Sequence, residues 1–248
     1  MTSWTDNLDE RGQKEVELAR LYAREFAHGT DGHGRLMLID QLAGMLDRFS
    51  AASGPPAPDK ILEFVLLDVP YHSQHEADAQ WFRKDCGPAC VEMIGKSFNP
   101  NAPVTTNEIM KHITAGVDRG VYVRELQAAC GHFFDVDLDR YDPTDWRALK
   151  GWLEDGRPVI VLVHYGSFGM RIDRSYTAGH FMVVVGYDVI DYQGERVERA
   201  ILHDPDFFGD LRSQGAFLPV TQDHFVGMWE DSYKDNNPRR LALVPRVG

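Results

Sequence analysis

The stretch Asp85-Cys86-Gly87-Pro88-Ala89-Cys90 places a thiol at the mouth of a short apolar run, Val91 to Ile94, that reads as the first turns of a buried helix. Gly87 lets another part of the chain approach closely, and Pro88 suits the first turn of a helix, where a missing N–H costs nothing. A thiol at a helix N-terminus faces the positive end of the helix dipole, which favours thiolate over thiol and so makes a nucleophile. The competing reading is that Cys86 is a small buried hydrophobe, the commoner fate of a free cysteine. A base, and a group to orient that base, would decide between the two.

The candidate histidines of the second half are His164, His180, His203 and His224. His180 follows two small residues, Ala178 and Gly179, and heads the run Phe181-Met182-Val183-Val184-Val185, which predicts a rigid core strand. A histidine at that place is also an ordinary structural residue. If the hairpin turn is centred near Tyr192, symmetry of an antiparallel pair sets Asp204 opposite His180, on the same face of the sheet. An Asp beside an imidazole fixes its tautomer and stabilises the imidazolium. A bulge would shift this register, and Asp204-Pro205 also reads as a strand-ending turn. For an oxyanion, a glutamine amide upstream of the cysteine could join the backbone N–H of the nucleophile. Gln74 and Gln80 both qualify by position. Gln74 directly follows a strand and is better fixed; Gln80 lies nearer, in a charged loop. The glycine-containing stretches Tyr165-Gly166-Ser167-Phe168-Gly169 and Tyr176-Thr177-Ala178-Gly179 read as movable loops around a substrate. Cys90 and Cys130 read as packing residues, since neither has CxxC spacing or a second ligand pair. Trp146, Trp152 and Trp229 read as core or cleft-wall aromatics.

The elements that must position these groups follow from periodicity. Two amphipathic helices, about 9–27 and 35–49, form a helical hairpin over residues 1–50. It cannot bury its apolar faces alone, so it must pack on the main domain or take part in homo-oligomer or partner contact. His28, Asp31 and His33 in its turn lack a fourth ligand and read as turn residues, not as a metal site. Ala51 to Pro58 is a Pro-rich linker, placed over 51–60, and the main domain follows from 61 to 248. A strand is expected from Leu62 to Val69. Helices are expected from Cys86 to Lys96, Ile109 to Ile113 behind a Thr105-to-Glu108 cap, Val123 to Ala129, and Asp145 to Leu153 with Thr144 as N-cap. After Gly156 the pattern turns to strands, at Pro158–His164, Phe181–Tyr187, Ala200–His203 and Leu241–Pro245, with a short helix at Phe225–Trp229. Helices followed by a mostly antiparallel sheet means α+β.

Val69-Pro70-Tyr71-His72-Ser73-Gln74, then Asp85-Cys86-Gly87-Pro88-Ala89-Cys90, Gly179-His180-Phe181 with its Val-rich strand, and His203-Asp204-Pro205 together resemble the bacteriocin-processing, double-glycine leader peptidase family of papain-like cysteine peptidases, in its stand-alone bacterial form. The resemblance runs from about Leu67 to the C-terminus. It implies a papain-like fold, with a helical half carrying the cysteine, a sheet half carrying His and Asp, and the site in the cleft between them. It also implies the roles: Cys86 nucleophile, His180 base, Asp204 orienter, and an oxyanion glutamine. Exporter peptidases of that family have this glutamine about six residues before the cysteine, which matches Gln80, whereas many stand-alone relatives have it after the Val-Pro-Tyr segment, which matches Gln74, the residue preferred here. The N-terminal hairpin lies outside the resemblance.

Composition bounds the function. The 248 residues carry a formal net charge of −12, which argues against nucleic acid and anionic membrane surfaces as partners. Long-range attraction by that charge favours basic or neutral peptides. There is no run of about 18 apolar residues for a membrane span, and the first residues lack a signal-peptide pattern. The three cysteines are too few for a disulfide framework, so a reducing cytoplasm is the expected compartment. The leading expectation is therefore a cysteine peptidase or amidohydrolase working on a peptide or protein through a thioester, needing no cofactor and no metal. An acyl or peptidyl transferase on the same triad, and a non-catalytic binding or assembly module, are the alternatives.

Overall fold

Residues 159–163 are apolar at every position, so a strand there must be covered on both faces. The computed structural model, which describes residues 60–75, 84–115, 119–171, 175–192 and 194–246, shows this arrangement. Strand β3 (Val159–His164) sends Ile160 and Leu162 into one core and Val159, Val161 and Val163 into another. The helical hairpin expected over 1–50, with His28, Asp31 and His33, and the linker up to residue 59 lie outside the described residues.

The described elements are β1 (Lys60–Leu66), α1 (Cys86–Phe98), α2 (Thr106–Thr114), α3 (Val123–Phe134), β2 (Leu138–Tyr141), α4 (Trp146–Glu154), β3, β4 (Gly179–Tyr192), β5 (Glu195–His203), β6 (Leu218–Thr221), α5 (Gln222–Glu230) and β7 (Ala242–Pro245). They form an α+β unit around one 7-stranded sheet of order β2-β7-β3-β4-β5-β6, with β1 also paired on β4. Every pairing is antiparallel. Helices α1 and α3 pack on one face of the sheet, and α4 and α5 on the other. No helix among the described residues is long and apolar enough to cross a membrane.

The central strand β4 is longer than its apolar run because it serves three neighbours. It pairs with β5, with β3 along its first half and with β1 along its second. Gly186 allows the crossing of β1, since a Cβ there would lie 2.3 Å from the Val65 carbonyl oxygen. Helix α1 is buried continuously from Cys86 to Gly95, which explains its apolar sequence. Helix α3 presses closely against it. A Cβ on Gly95 would meet the Phe134 ring at 2.2 Å, and one on Gly87 would meet Leu126 and Val121 at 2.9 Å. The close approach expected at Gly87 is therefore made by the side chains of residues 121 and 126. The capping box at Thr105 and Glu108 forms as expected. The start of α4 differs: Asp145, not Thr144, is the N-cap, and its carboxylate accepts from the Ala148 N–H. Strands β2 and β6 have no counterpart among the strands expected from the sequence.

Candidate active site

Cys86 is the first residue of α1 and is 8% exposed. The first turn of a helix offers backbone N–H groups that no helical carbonyl accepts, so the thiol sits beside donors aimed out of the helix end. His180 is the second residue of β4, opposite Val163 of β3, and is buried. Its Nε2–H donates to Asp204 Oδ1 at 2.8 Å. That bond fixes the tautomer and leaves Nδ1 as the ring nitrogen for the Cys86 side chain, with which the imidazole is hydrogen-bonded. Burial works against a charged ring here. The charge and hydrogen bond of Asp204, and then Cys86, outweigh burial and hold the His180 pKa well above the usual histidine value.

The hairpin that brings these groups together has a different register from the expected one. Tyr192 faces Glu195, and an extra residue at Val185 shifts the ladder, so that Val183 faces His203. Continued past the end of β5, this pairing sets Asp204 level with Met182 rather than His180. Side chains alternate with a period of two, so His180 and Met182 share a face, and a diagonal neighbour remains within reach. The carboxylate still meets the imidazole.

Asp204 is fully buried and held from every side. Its Oδ1 also accepts the Asp206 N–H at 3.0 Å, and its Oδ2 accepts the Tyr165 hydroxyl at 2.9 Å. Its backbone N–H donates to Gly215 O at 2.8 Å, and its carbonyl accepts the Tyr71 hydroxyl at 2.9 Å. The Tyr165 ring also lies 4.2 Å from the His180 ring, centroid to centroid. Burial, and then the Asp204 charge, push the Tyr165 phenol well above its ordinary pKa, so it remains a donor. The stretch from Tyr165 was expected to be a movable substrate loop. Instead Tyr165–Ser167 is a turn of 3₁₀ helix in which Tyr165, like Phe168 after it, is fully buried. Gly166 is needed there because a Cβ would meet His164 Nε2 at 2.7 Å. The flanking glycines suggested mobility, and only the distant packing partners reveal a support for the carboxylate.

Residues 71–75 run beside 204–207 and are stitched to them. Ser73 Oγ donates to Phe207 O at 2.7 Å, Gln74 N–H to Pro205 O at 2.9 Å, and His75 Nε2–H to Asp206 Oδ1 at 2.7 Å. The buried side-chain amide of Gln74 donates to Asp206 Oδ1 at 3.0 Å. Gln80 lies outside the described residues. Asp206 thus enters the site's surroundings.

The remaining histidines have other duties. His203 Nε2–H donates to Val69 O at 2.9 Å and its Nδ1 accepts the Phe217 N–H at 3.0 Å; burial lowers its pKa to about 4, so it stays neutral. His164 Nδ1 pairs with Asp235 at 2.8 Å, and His224 Nε2–H donates to Ser167 O at 2.7 Å. Cys90 and Cys130 are fully buried. Burial pushes the Cys90 thiol well up and that of Cys130 to about 12, so both are inert packing residues. Trp229 is a core residue whose Nε1–H donates to Leu241 O at 2.8 Å.

A cleft of about 670 Å³ opens at Cys86. Residues 120–124 line it from the helical side, and Tyr176, Ala178 and Gly179 from the sheet side. The Tyr176 hydroxyl donates to Gly179 O at 2.8 Å, which ties down the segment leading into His180. Among the described residues, the basic ones on the lining are Lys84, Arg124 and Arg140, and the acidic one is Asp235. Among the described lining residues the basic ones outnumber the acidic, although acidic residues predominate in the chain as a whole.

Residues 66–234, more than half of the chain, match the profile of a family described as the Peptidase_C39 like family. Among solved structures, the chain is similar to a protein described as a C39-like peptidase from Bacillus anthracis, with 15% identity over 75% of this chain and 99% of that chain and a TM-score of 0.51. It also aligns with a double glycine motif protease from an AMS/PCAT transporter solved with its leader peptide (14% identity, 75% of this chain and 98% of that chain, TM-score 0.41). A third match is the peptidase domain of Streptococcus ComA (13% identity, 75% of this chain and 100% of that chain, TM-score 0.39). No curated protein matches the chain. The Bacillus anthracis likeness carries the fold, an antiparallel sheet with helices in the papain-like arrangement.

Proposed function

The chain belongs to the Peptidase_C39 like family and is a papain-like cysteine peptidase, and we propose that it hydrolyses a peptide or amide bond with Cys86 as nucleophile, His180 as acid and base, and Asp204 as the group that orients His180. The observation that carries this assignment is the unbroken chain of contacts from Cys86 to His180 to Asp204, with the last two buried and 2.8 Å apart. The raised His180 pKa favours an imidazolium beside a thiolate, the reactive form of such a pair.

In this reading the Cys86 thiolate attacks the carbonyl carbon. The oxyanion is met by the backbone N–H of Cys86 at the start of α1 and by a glutamine amide. We assign that amide to Gln74, whose orientation Asp206 sets, with Gln80 as the alternative. His180 gives its proton to the leaving amine as the tetrahedral intermediate collapses to a thioester. The now neutral ring takes a proton from water, which attacks the thioester and releases the acid. The Asp204 carboxylate balances the imidazolium when it forms.

Two measurements test this. Iodoacetamide should alkylate Cys86 well below the pH of about 8.5 at which a free thiol ionises, and His180→Ala should suppress that reactivity. Cleavage of a peptide library should disappear in Cys86→Ala. Alkylation of Cys86 no faster than that of Cys90 or Cys130 would overturn the assignment.

A further inference from the structure

The chain has 38 acidic and 26 basic residues, yet the charged residues described on the lining of its cleft are mainly basic. Of the residues on that lining, Asp235 is engaged by His164 at 2.8 Å. Arg140 donates to Asp142 at 2.8 Å and is partly neutralised by it. Arg124 differs. It is exposed and forms no ion pair with any described residue. Its neighbour Glu125 is already gripped by Arg119 through two hydrogen bonds, of 3.0 and 2.6 Å. The Arg124 guanidinium lies 5.7 Å from the ring centroid of Tyr122, which is 59% exposed on the same wall. This wall thus has a cation and an aromatic face, both turned to a cleft whose other wall leads to His180.

We propose that this cleft selects peptides carrying a carboxylate side chain, Asp or Glu, within a few residues of the bond attacked by Cys86, with Arg124 as the counter-charge. The inference rests on the peptidase reading and adds the chemistry of the substrate to it. A planar guanidinium matches a carboxylate in a two-point geometry that an ammonium or an amide lacks. The net charge of −12 repels an acidic peptide at long range. The selection is therefore local, exerted once the peptide lies in the cleft, where screening by salt is weaker than in open solvent. A basic peptide, which the net charge alone would favour, would meet like charge at Arg124.

The test uses the full chain. A peptide library is digested and the cleaved bonds are read by mass spectrometry, with Cys86→Ala as control. The best-cleaved peptide is then made in three forms, with Glu, Gln or Lys at the position where acids are enriched. With the wild type, kcat/KM should fall in the order Glu, Gln, Lys, with roughly fivefold between Glu and Gln, the scale of one solvent-accessible ion pair. Arg124→Glu should reverse the order, which a general loss of folding cannot do. Arg124→Lys should keep the order and shrink the gap. Cysteine-dependent cleavage with no enrichment of acids, or an order unchanged in Arg124→Glu, overturns the charge selection and leaves the peptidase reading standing. Absence of any Cys86-dependent cleavage overturns both.

Discussion

Replacing Asp204 by Asn should change which of two opposing effects governs His180. Burial disfavours the imidazolium, and the Asp204 charge more than compensates. The substitution removes the charge while leaving the bonds in place. Asn Oδ1 can still accept from His180 Nε2–H and the Asp206 N–H, and its Nδ2 can donate to the Tyr165 hydroxyl oxygen, which now accepts rather than donates. With the ring nitrogen and carboxylate oxygen 2.8 Å apart, the charge centres lie roughly 4 Å apart, worth about 4 kcal/mol at an effective dielectric of about 20. Each pKa unit lost costs about 1.4 kcal/mol and tenfold in the ratio of imidazolium to imidazole. The rate of Cys86 alkylation at neutral pH should therefore fall roughly 10- to 1,000-fold. The assay is the pH dependence of iodoacetamide labelling, followed by mass spectrometry of the intact chain. The wild-type rate should persist into mildly acid pH. The variant should match it only at alkaline pH, where the thiol ionises without help. Cys90 and Cys130 are fully buried and report on folding, because they label only if the chain opens. Superimposable pH profiles for wild type and Asp204→Asn, with both buried thiols silent, would refute the reasoning.

Two further outcomes are expected. Tyr165→Phe keeps the ring against His180 but removes the donor to Asp204 Oδ2, so urea denaturation should show a loss of about 1.5–3 kcal/mol, the scale of a hydrogen bond to a buried charge. Its kcat should fall with KM little changed, because Tyr165 is fully buried and is not on the cleft lining. His203 has a folded pKa of about 4 against 6.5 for an unperturbed ring. Its depressed value means that stability is fully present above pH 6.5 and is lost as pH falls towards 4, by about 3 kcal/mol. Denaturation midpoints across that window should drop more steeply for wild type than for His203→Gln, whose amide does not titrate.

The parts of this molecule that sequence reveals are those with local causes. The Cys86 helix is legible because Gly87-Pro88 and the apolar run after it are themselves the reasons for its start and its burial. The same holds for β3 and β4, whose two covered faces demand an unbroken apolar run. Strands β2 and β6, with four residues each, carry too few side chains to show a period, and their pairing partners β7 and β5 supply their reason to exist. The meeting of His180 with Asp204 is a more instructive case. The turn lies later than its sequence signal suggests, and a bulge at Val185 moves the ladder again. The pair survives because the face, not the exact partner, is what a period-two strand preserves.

What the sequence conceals is the support beneath the site, since burial is a property of distant neighbours. Tyr165, flanked by glycine, looks like a mobile loop and is instead the donor to the second oxygen of Asp204. Residues 71–75 read as the irregular lead from a strand into a loop. They are irregular because their hydrogen-bonding groups are committed elsewhere: to the carbonyls of Asp204, Pro205 and Phe207 and to the Asp206 carboxylate. A segment joined this way cannot slide without releasing several buried polar groups at once, each at a cost of about 1–3 kcal/mol. It therefore fixes the loop that carries Asp204. The position of the carboxylate that charges His180 is thus set from the far side of the chain, by the stretch that leads towards Cys86.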